Sequence, residues 1–153
     1  MADQARWEIA QLNVGRAVAP LDEAPMAGFM ARLDEINALA ERSPGFVWRL
    51  KGDSGNNTDY KVDGGDPLFI VNLSVWASLD ELHAFTYRSD HRQVFARRYD
   101  WFERRTVPNT VIWWQPAGTI PDVQDALRRL AVLAREGPSP EAFTFKSAFP
   151  PPG

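Results

Sequence analysis

The chain has 153 residues, a mass of 17.2 kDa, a formal charge of −3 and no cysteine. That length suits one domain spanning residues 1–153, with a core large enough to need no covalent staple. The missing cysteines exclude disulfides and thiolate chemistry, two histidines are too few for a multi-histidine metal site, and the acidic balance argues against a nucleic-acid partner.

Met1–Glu8 carries Asp3 and Glu8 and lacks the apolar stretch of a secretion signal, so a cytoplasmic protein is expected. Trp7–Val14 alternates loosely and predicts a strand, ended by Gly15 and Ala19-Pro20. Met26, Phe29, Met30, Leu33, Ile36 and Leu39 recur at helical spacing, and Ser43-Pro44-Gly45 closes that helix. Phe46–Lys51 reads as a short strand before a polar Gly/Asn/Asp stretch from Gly52 to Asp66. Leu68–Trp76 is the most apolar run, interrupted by Asn72 and Ser74. It falls far short of the roughly twenty apolar residues a bilayer requires, so a buried strand is expected and no membrane partner.

Ser78 with Glu81 three residues on forms a capping box that opens a helix over Leu79 to about Tyr87. Ser89 reads as a second cap, with Asp90 and His91 opening a further helical stretch to about Phe102, so a kinked helix is expected. Thr110–Gln115 is β-branched and aromatic, a strand stopped by Pro116. Thr119 is expected to cap a helix holding Pro121 in its first turn, lined by Leu127, Leu130, Val132 and Leu133 and closed by Gly137. Residues 137–153 are rich in proline, carry Phe143, Phe145 and Phe149, and predict an ordered arm on the surface.

The order β-α-β-β-α-β-α predicts an α+β, ferredoxin-like split β-α-β fold: a four-stranded antiparallel sheet, with an extra C-terminal helix and the Pro-rich arm. In the third strand Phe69, Val71, Leu73 and Val75 form a wholly apolar face for the chain's own helices. Leu68, Ile70, Asn72, Ser74 and Trp76 form a mixed face that needs a ligand or a second copy, which suggests a dimeric α+β barrel.

The segments Ala10-Gln11-Leu12-Asn13, Ser43-Pro44-Gly45-Phe46-Val47-Trp48-Arg49 and Val71-Asn72-Leu73-Ser74-Val75-Trp76 resemble the uncharacterised family called domain of unknown function 3291. Tyr87-Arg88-Ser89-Asp90-His91 and Trp113-Trp114-Gln115-Pro116-Ala117-Gly118 extend the resemblance over nearly the whole chain. It implies a homodimer of the α+β barrel type, alongside cofactor-free antibiotic-biosynthesis monooxygenases and haem-degrading enzymes. A histidine near this helix is common in such barrels. Fold alone does not name a reaction.

His91 is the first catalytic candidate, because a helix N-terminus would keep its ring neutral and able to accept a proton. The alternative is a first-turn residue bonded to a backbone carbonyl or solvent. Tyr87 would supply a hydroxyl for proton transfer and Arg88 an anion clamp, while His83 reads as a half-buried structural residue or a ligand contact. Asn13 and Asn72 are amides in apolar strands, facing a ligand or bonding across the sheet. Trp48, Trp76 and Trp113 either line an aromatic cleft for a flat apolar ligand or pack the core. The basic cluster containing Arg92, Arg97, Arg98, Arg104 and Arg105 is expected to be a solvated, ion-paired helix face. Three functions follow: an enzyme without a bound cofactor, monooxygenase or isomerase, on an apolar aromatic or polyketide-like substrate; a non-catalytic small-molecule-binding module; or a haem-binding or haem-degrading protein.

Overall fold

A computed structural model describes residues 6–51, 66, 68–88, 92, 96–104 and 106–152. The elements run β1 (Trp7–Arg16), a 3-10 turn at Ala24–Met26, α1 (Ala27–Glu41), β2 (Phe46–Arg49), β3 (Phe69–Trp76), α2 (Leu79–Arg88), α3 (Arg98–Trp101), β4 (Thr110–Pro116) and α4 (Val123–Glu136). The four strands form one sheet in the order β2-β3-β1-β4, every neighbouring pair antiparallel. This is the ferredoxin-like α+β arrangement expected from the sequence. Among the described residues no helix is long and apolar enough to cross a membrane.

Strand alternation sends two different sets of side chains to the two sides of the sheet. Ala10, Leu12, Val14, Val71, Leu73, Val75, Val111 and Trp113 share one core with Val123, Ala126, Leu130 and Leu133 of α4. The spacing of three and four residues in that helix puts one narrow apolar stripe on the sheet. Ile9, Ile70, Trp76 and Ile112 point the other way, under α1, α2 and α3. The mixed face thus lies under the chain's own helices, with Asn72 left exposed on it.

Three local expectations change. Asp122, not Thr119, caps α4: its backbone is extended and its carboxylate accepts from Asp125 N at 3.1 Å. Thr119 is spent in closing a turn, its N–H donating to the Pro116 carbonyl at 3.2 Å, so Pro121 precedes the helix instead of opening it. The arm does more than lie on the surface. Phe143 is fully buried, its N–H and C=O exchange bonds of 2.9 Å with Ile112, and Trp114 Nε1 donates to the Phe149 carbonyl at 2.8 Å. Of the stretch expected to form a kinked helix, α3 is seen; Ser89, Asp90 and His91 lie outside the described residues.

Ser78 caps α2 as expected, its Oγ accepting from Glu81 N at 3.2 Å, while the Glu81 carboxylate closes the capping box through the Ser78 hydroxyl, which donates to Oε1 at 2.9 Å. In α4, burial pushes the Asp125 carboxyl up, but hydrogen bonds from Arg129 and Arg128, both 2.8 Å, outweigh it and hold the group below its ordinary range. A depressed carboxyl stabilises the fold above its unfolded value of about 3.9, and that contribution is lost as pH falls through the lower folded value. Asp125→Asn should therefore flatten the acid limb of a Tm-against-pH profile below about pH 4. At neutral pH it should cost under about 1 kcal/mol, because such solvent-exposed pairs are screened. A variant whose acid limb matches wild type would show that these pairs are energetically silent.

Candidate active site

A cleft lies between the mixed sheet face and the helices above it. It has two lobes, the larger a cavity of about 410 Å³ and the smaller a cavity of about 140 Å³; they have Asn13, Asn37, Asn72, Arg98, Tyr99 and Asn109 in common, together with Ile36. The small lobe is walled by Phe29, Leu33, Ile70, Trp101 and Phe102. Phe29 stands edge-on to Phe102 at 5.1 Å and tilted to Trp101 at 5.7 Å. Gly15 permits that closeness, since a Cβ there would meet the Phe102 ring at 2.9 Å.

The floor of the large lobe is polar because consecutive same-face positions of two central strands are polar. Gln11 stands opposite Ser74 and Asn13 opposite Asn72. Gln11 Nε2 donates to Ser74 Oγ at 2.8 Å and to Asn72 Oδ1 at 3.1 Å. Trp76 Nε1 also donates to Ser74 Oγ, at 3.0 Å, while its ring stacks on Phe85 at 4.9 Å and meets Phe46 edge-on at 5.5 Å. The floor is thus tied into the aromatic wall.

A bulge in β2 decides what that strand contributes. Phe46 pairs with Trp76, yet Trp48 pairs with Val75 and Arg49 with Ser74, so Val47 is the extra residue. Arg49 consequently faces the cleft, its side chain only 11% exposed, with Nε on Glu41 at 3.1 Å. Glu41 also meets Lys51 at 3.2 Å; the Lys51 hydrogen bond, with the charge of Arg49, holds its carboxyl below the usual range.

The expected site residues divide. Asn13, Asn72, Trp76 and Tyr87 line the cleft. Trp48 does not share a face with Trp76: the bulge turns it into the core under α4. Trp113 lies in that same core, 2% exposed, with the Arg129 guanidinium 5.0 Å above its ring. His83 packs against Tyr87 at 4.8 Å and Phe145 at 5.3 Å, two residues of the lining, without lining the cleft itself. Arg88 is exposed at the end of α2, and His91 lies outside the described residues. Gln11, Ser74, Arg49, Arg98 and Tyr99 line the cleft without having been singled out as site residues. The first two were visible as the same-face neighbours of Asn13 and Asn72; Arg49 needed the bulge.

The model of one family, described as a domain of unknown function (DUF3291), matches residues 8–153. The chain belongs to the DUF3291 family. No curated protein matches the sequence. Among solved structures, this DUF3291 chain resembles a conserved protein from Methanosarcina mazei Go1, with a TM-score of 0.52 and 16% identity over 75% of this chain and 97% of that one. It also resembles Rv0793 from Mycobacterium tuberculosis, with a TM-score of 0.49 and 13% identity over 76% and 98% of the two chains. SnoaB, a cofactor-independent oxygenase from Streptomyces nogalater, aligns with a TM-score of 0.42 and 18% identity over 75% and 98%. The Methanosarcina likeness is one of fold.

Proposed function

We propose that this DUF3291 protein is a small-molecule enzyme that works without a bound cofactor on an apolar aromatic or polyketide-like substrate. The observation that carries the reading is the cleft itself: about 410 Å³ beneath α1 and α2, with aromatic walls, a few polar groups on its floor and the phenol of Tyr87 in its lining. Tyr87 and His91 are assigned to proton transfer. Removal of a C–H proton leaves a substrate carbanion. Returning the proton to another carbon is an isomerisation. Addition of O₂ to the carbanion gives a peroxide, and loss of the second C–H proton from the same carbon breaks the O–O bond. CH₂ thereby becomes C=O, the other oxygen leaves as water and the substrate supplies all the electrons, which is a monooxygenation.

The test is native mass spectrometry of the gently purified protein, followed by turnover of whatever it carries, with O₂ uptake monitored. A bound aromatic metabolite that is consumed, and a turnover loss of about tenfold or more in Tyr87→Phe or His91→Ala with unchanged melting, is the expected result. A bound molecule that is never converted would make the protein a binding module. Full turnover in both variants would remove the proton-transfer assignment.

A further inference from the structure

The cleft has a chemical polarity that the word apolar does not capture. Arg32, Arg49, Arg98 and Lys146 line it, and among the described residues the one carboxylate in that lining is Glu103, already held by Arg16 at 2.8 Å; Arg32 and Arg49 pair outside the lining with Glu35 at 3.8 Å and Glu41 at 3.1 Å. This happens in a chain whose formal charge is −3. Cations gathered in a concave, partly water-excluded site raise the local concentration of anions.

Within that field, one row across the sheet is built for an oxyanion. Arg49, Ser74 and Gln11 occupy adjacent positions on three neighbouring strands and share one face, so their side chains start roughly 5 Å apart. A serine hydroxyl has two acceptor sites and one proton to give. Both acceptor sites of Ser74 are taken, by Gln11 Nε2 and by the indole of Trp76, which is a donor only. Its own proton is therefore left to donate, and Ser74 lines the cavity. Beside it, Arg49 commits Nε to Glu41 and Nη1 to the Leu50 carbonyl at 3.5 Å, which leaves Nη2 outside both bonds. Glu41 lies between Arg49 and Lys51, so this trio keeps one net positive charge.

We propose that the Arg49–Ser74 row is a carboxylate subsite, and that the ligand of this cleft is an amphipathic acid with its ring or chain in the Phe29–Trp101–Phe102 end. One guanidinium edge, one hydroxyl donor and one uncompensated charge match a monoanionic, planar carboxylate; a phosphate dianion would need more donors and more charge. The inference rests on the cleft being the ligand site, and it adds the class of ligand and the residues that select it.

The test uses two probes of one shape, 2-naphthoate and 2-naphthalenemethanol, titrated against the intact protein by tryptophan fluorescence and ligand-observed NMR. The acid should bind about tenfold more tightly than the alcohol, the worth of one charge-assisted hydrogen-bond pair. Arg49→Met should erase the difference by weakening the acid alone, Arg49→Lys should keep some of it, and Ser74→Ala should cost the acid several-fold. Equal binding of acid and alcohol to wild type would overturn the carboxylate subsite while leaving the cleft as a ligand site. Binding of neither probe would overturn both. The wild-type comparison needs no variant to fold, so the inference stays open to refutation even where Arg49→Met does not.

Discussion

Replacing Trp113 by alanine should lower the unfolding free energy by about 3–5 kcal/mol, the usual cost of emptying a large aromatic site in a core. The side chain is 2% exposed at the middle of β4, opposite the small Ala10 of β1, and roofed by α4. Ala10 offers no bulk to refill the space, and β4 is held in place by its ladder to β1 and, at Ile112, by the bridge to Phe143 of the arm. The stacked Arg129 guanidinium would lose its ring, while its bonds to Asp125 and to the Glu141 carbonyl at 2.7 Å hold it in place over the void. For a chain of this size the loss corresponds to a Tm lower by about 10–15 °C. Thermal unfolding followed by circular dichroism checks it, and a fall of only a degree or two would mean that α4 does not seal this core. Below its new Tm the variant should bind 2-naphthoate as wild type does, because Trp113 lies on the far side of the sheet from the cleft. That second result separates a core residue from the ligand contact its sequence position suggested.

Gly45→Ala is the second large effect. Gly45 has a φ of +83°, and a Cβ there would come within 2.7 Å of Glu81 Cβ at the start of α2. The left-handed conformation alone costs a non-glycine residue roughly 1–2 kcal/mol. Glu81 cannot swing clear cheaply, because the Ser78 hydroxyl fixes it in the capping box. Adding strain of the kind seen in overpacked sites gives a total of about 2–4 kcal/mol. Gly137→Ala and Gly118→Ala are the controls: φ is +81° and +86°, but nothing lies within 4 Å of either added carbon, so each should cost only the conformational share. Equal Tm values for all three variants would show that the contact with Glu81 relaxes freely. Since Gly45 O also accepts from Ala77 N at 2.7 Å, this turn sets where α2 begins. Loss of the turn should therefore weaken 2-naphthoate binding too, through displacement of Phe85 and Tyr87.

The regions of the molecule that were readable in advance are those where one periodicity acts alone. Phe69, Val71, Leu73 and Val75 had to share a side because a strand has a period of two, and they do. The same rule left Asn13 and Asn72 either facing a ligand or bonding across the sheet, since a polar side chain in an apolar strand must reach a partner or water; both line the cleft, and Asn72 also accepts across the sheet from Gln11. It failed at Trp48, where a bulge breaks the period and no residue type announces it. The cap of α4 was misplaced because Thr119 and Asp122 are both competent caps; the turn at 116–119 decides between them, and that turn is a matter of backbone geometry. Which helices cover which face was also not legible. Both faces carry enough apolar surface to attract a helix, and α4 takes the fully apolar one while the mixed one is left to form a cleft. Polarity there is what keeps the space from closing.

The bulge at Val47 also bears on how the protein behaves when crowded. Among the described residues β2 and β4 border the sheet, and a bordering strand is where a second chain adds by backbone pairing. β2 is four residues long, distorted at Val47, and followed by Lys51 with Arg49 just before it, all of which discourage a flat neighbour. β4 has no such protection of its own: Val111-Ile112-Trp113-Trp114 is an apolar, uncharged run, and what occupies its outer side at Ile112 is Phe143 of the arm. The aggregation risk of this molecule is thus lodged in its last residues. Detachment of the arm, by heat, proteolysis or truncation, would uncover the strand best suited to recruit another copy into a growing sheet.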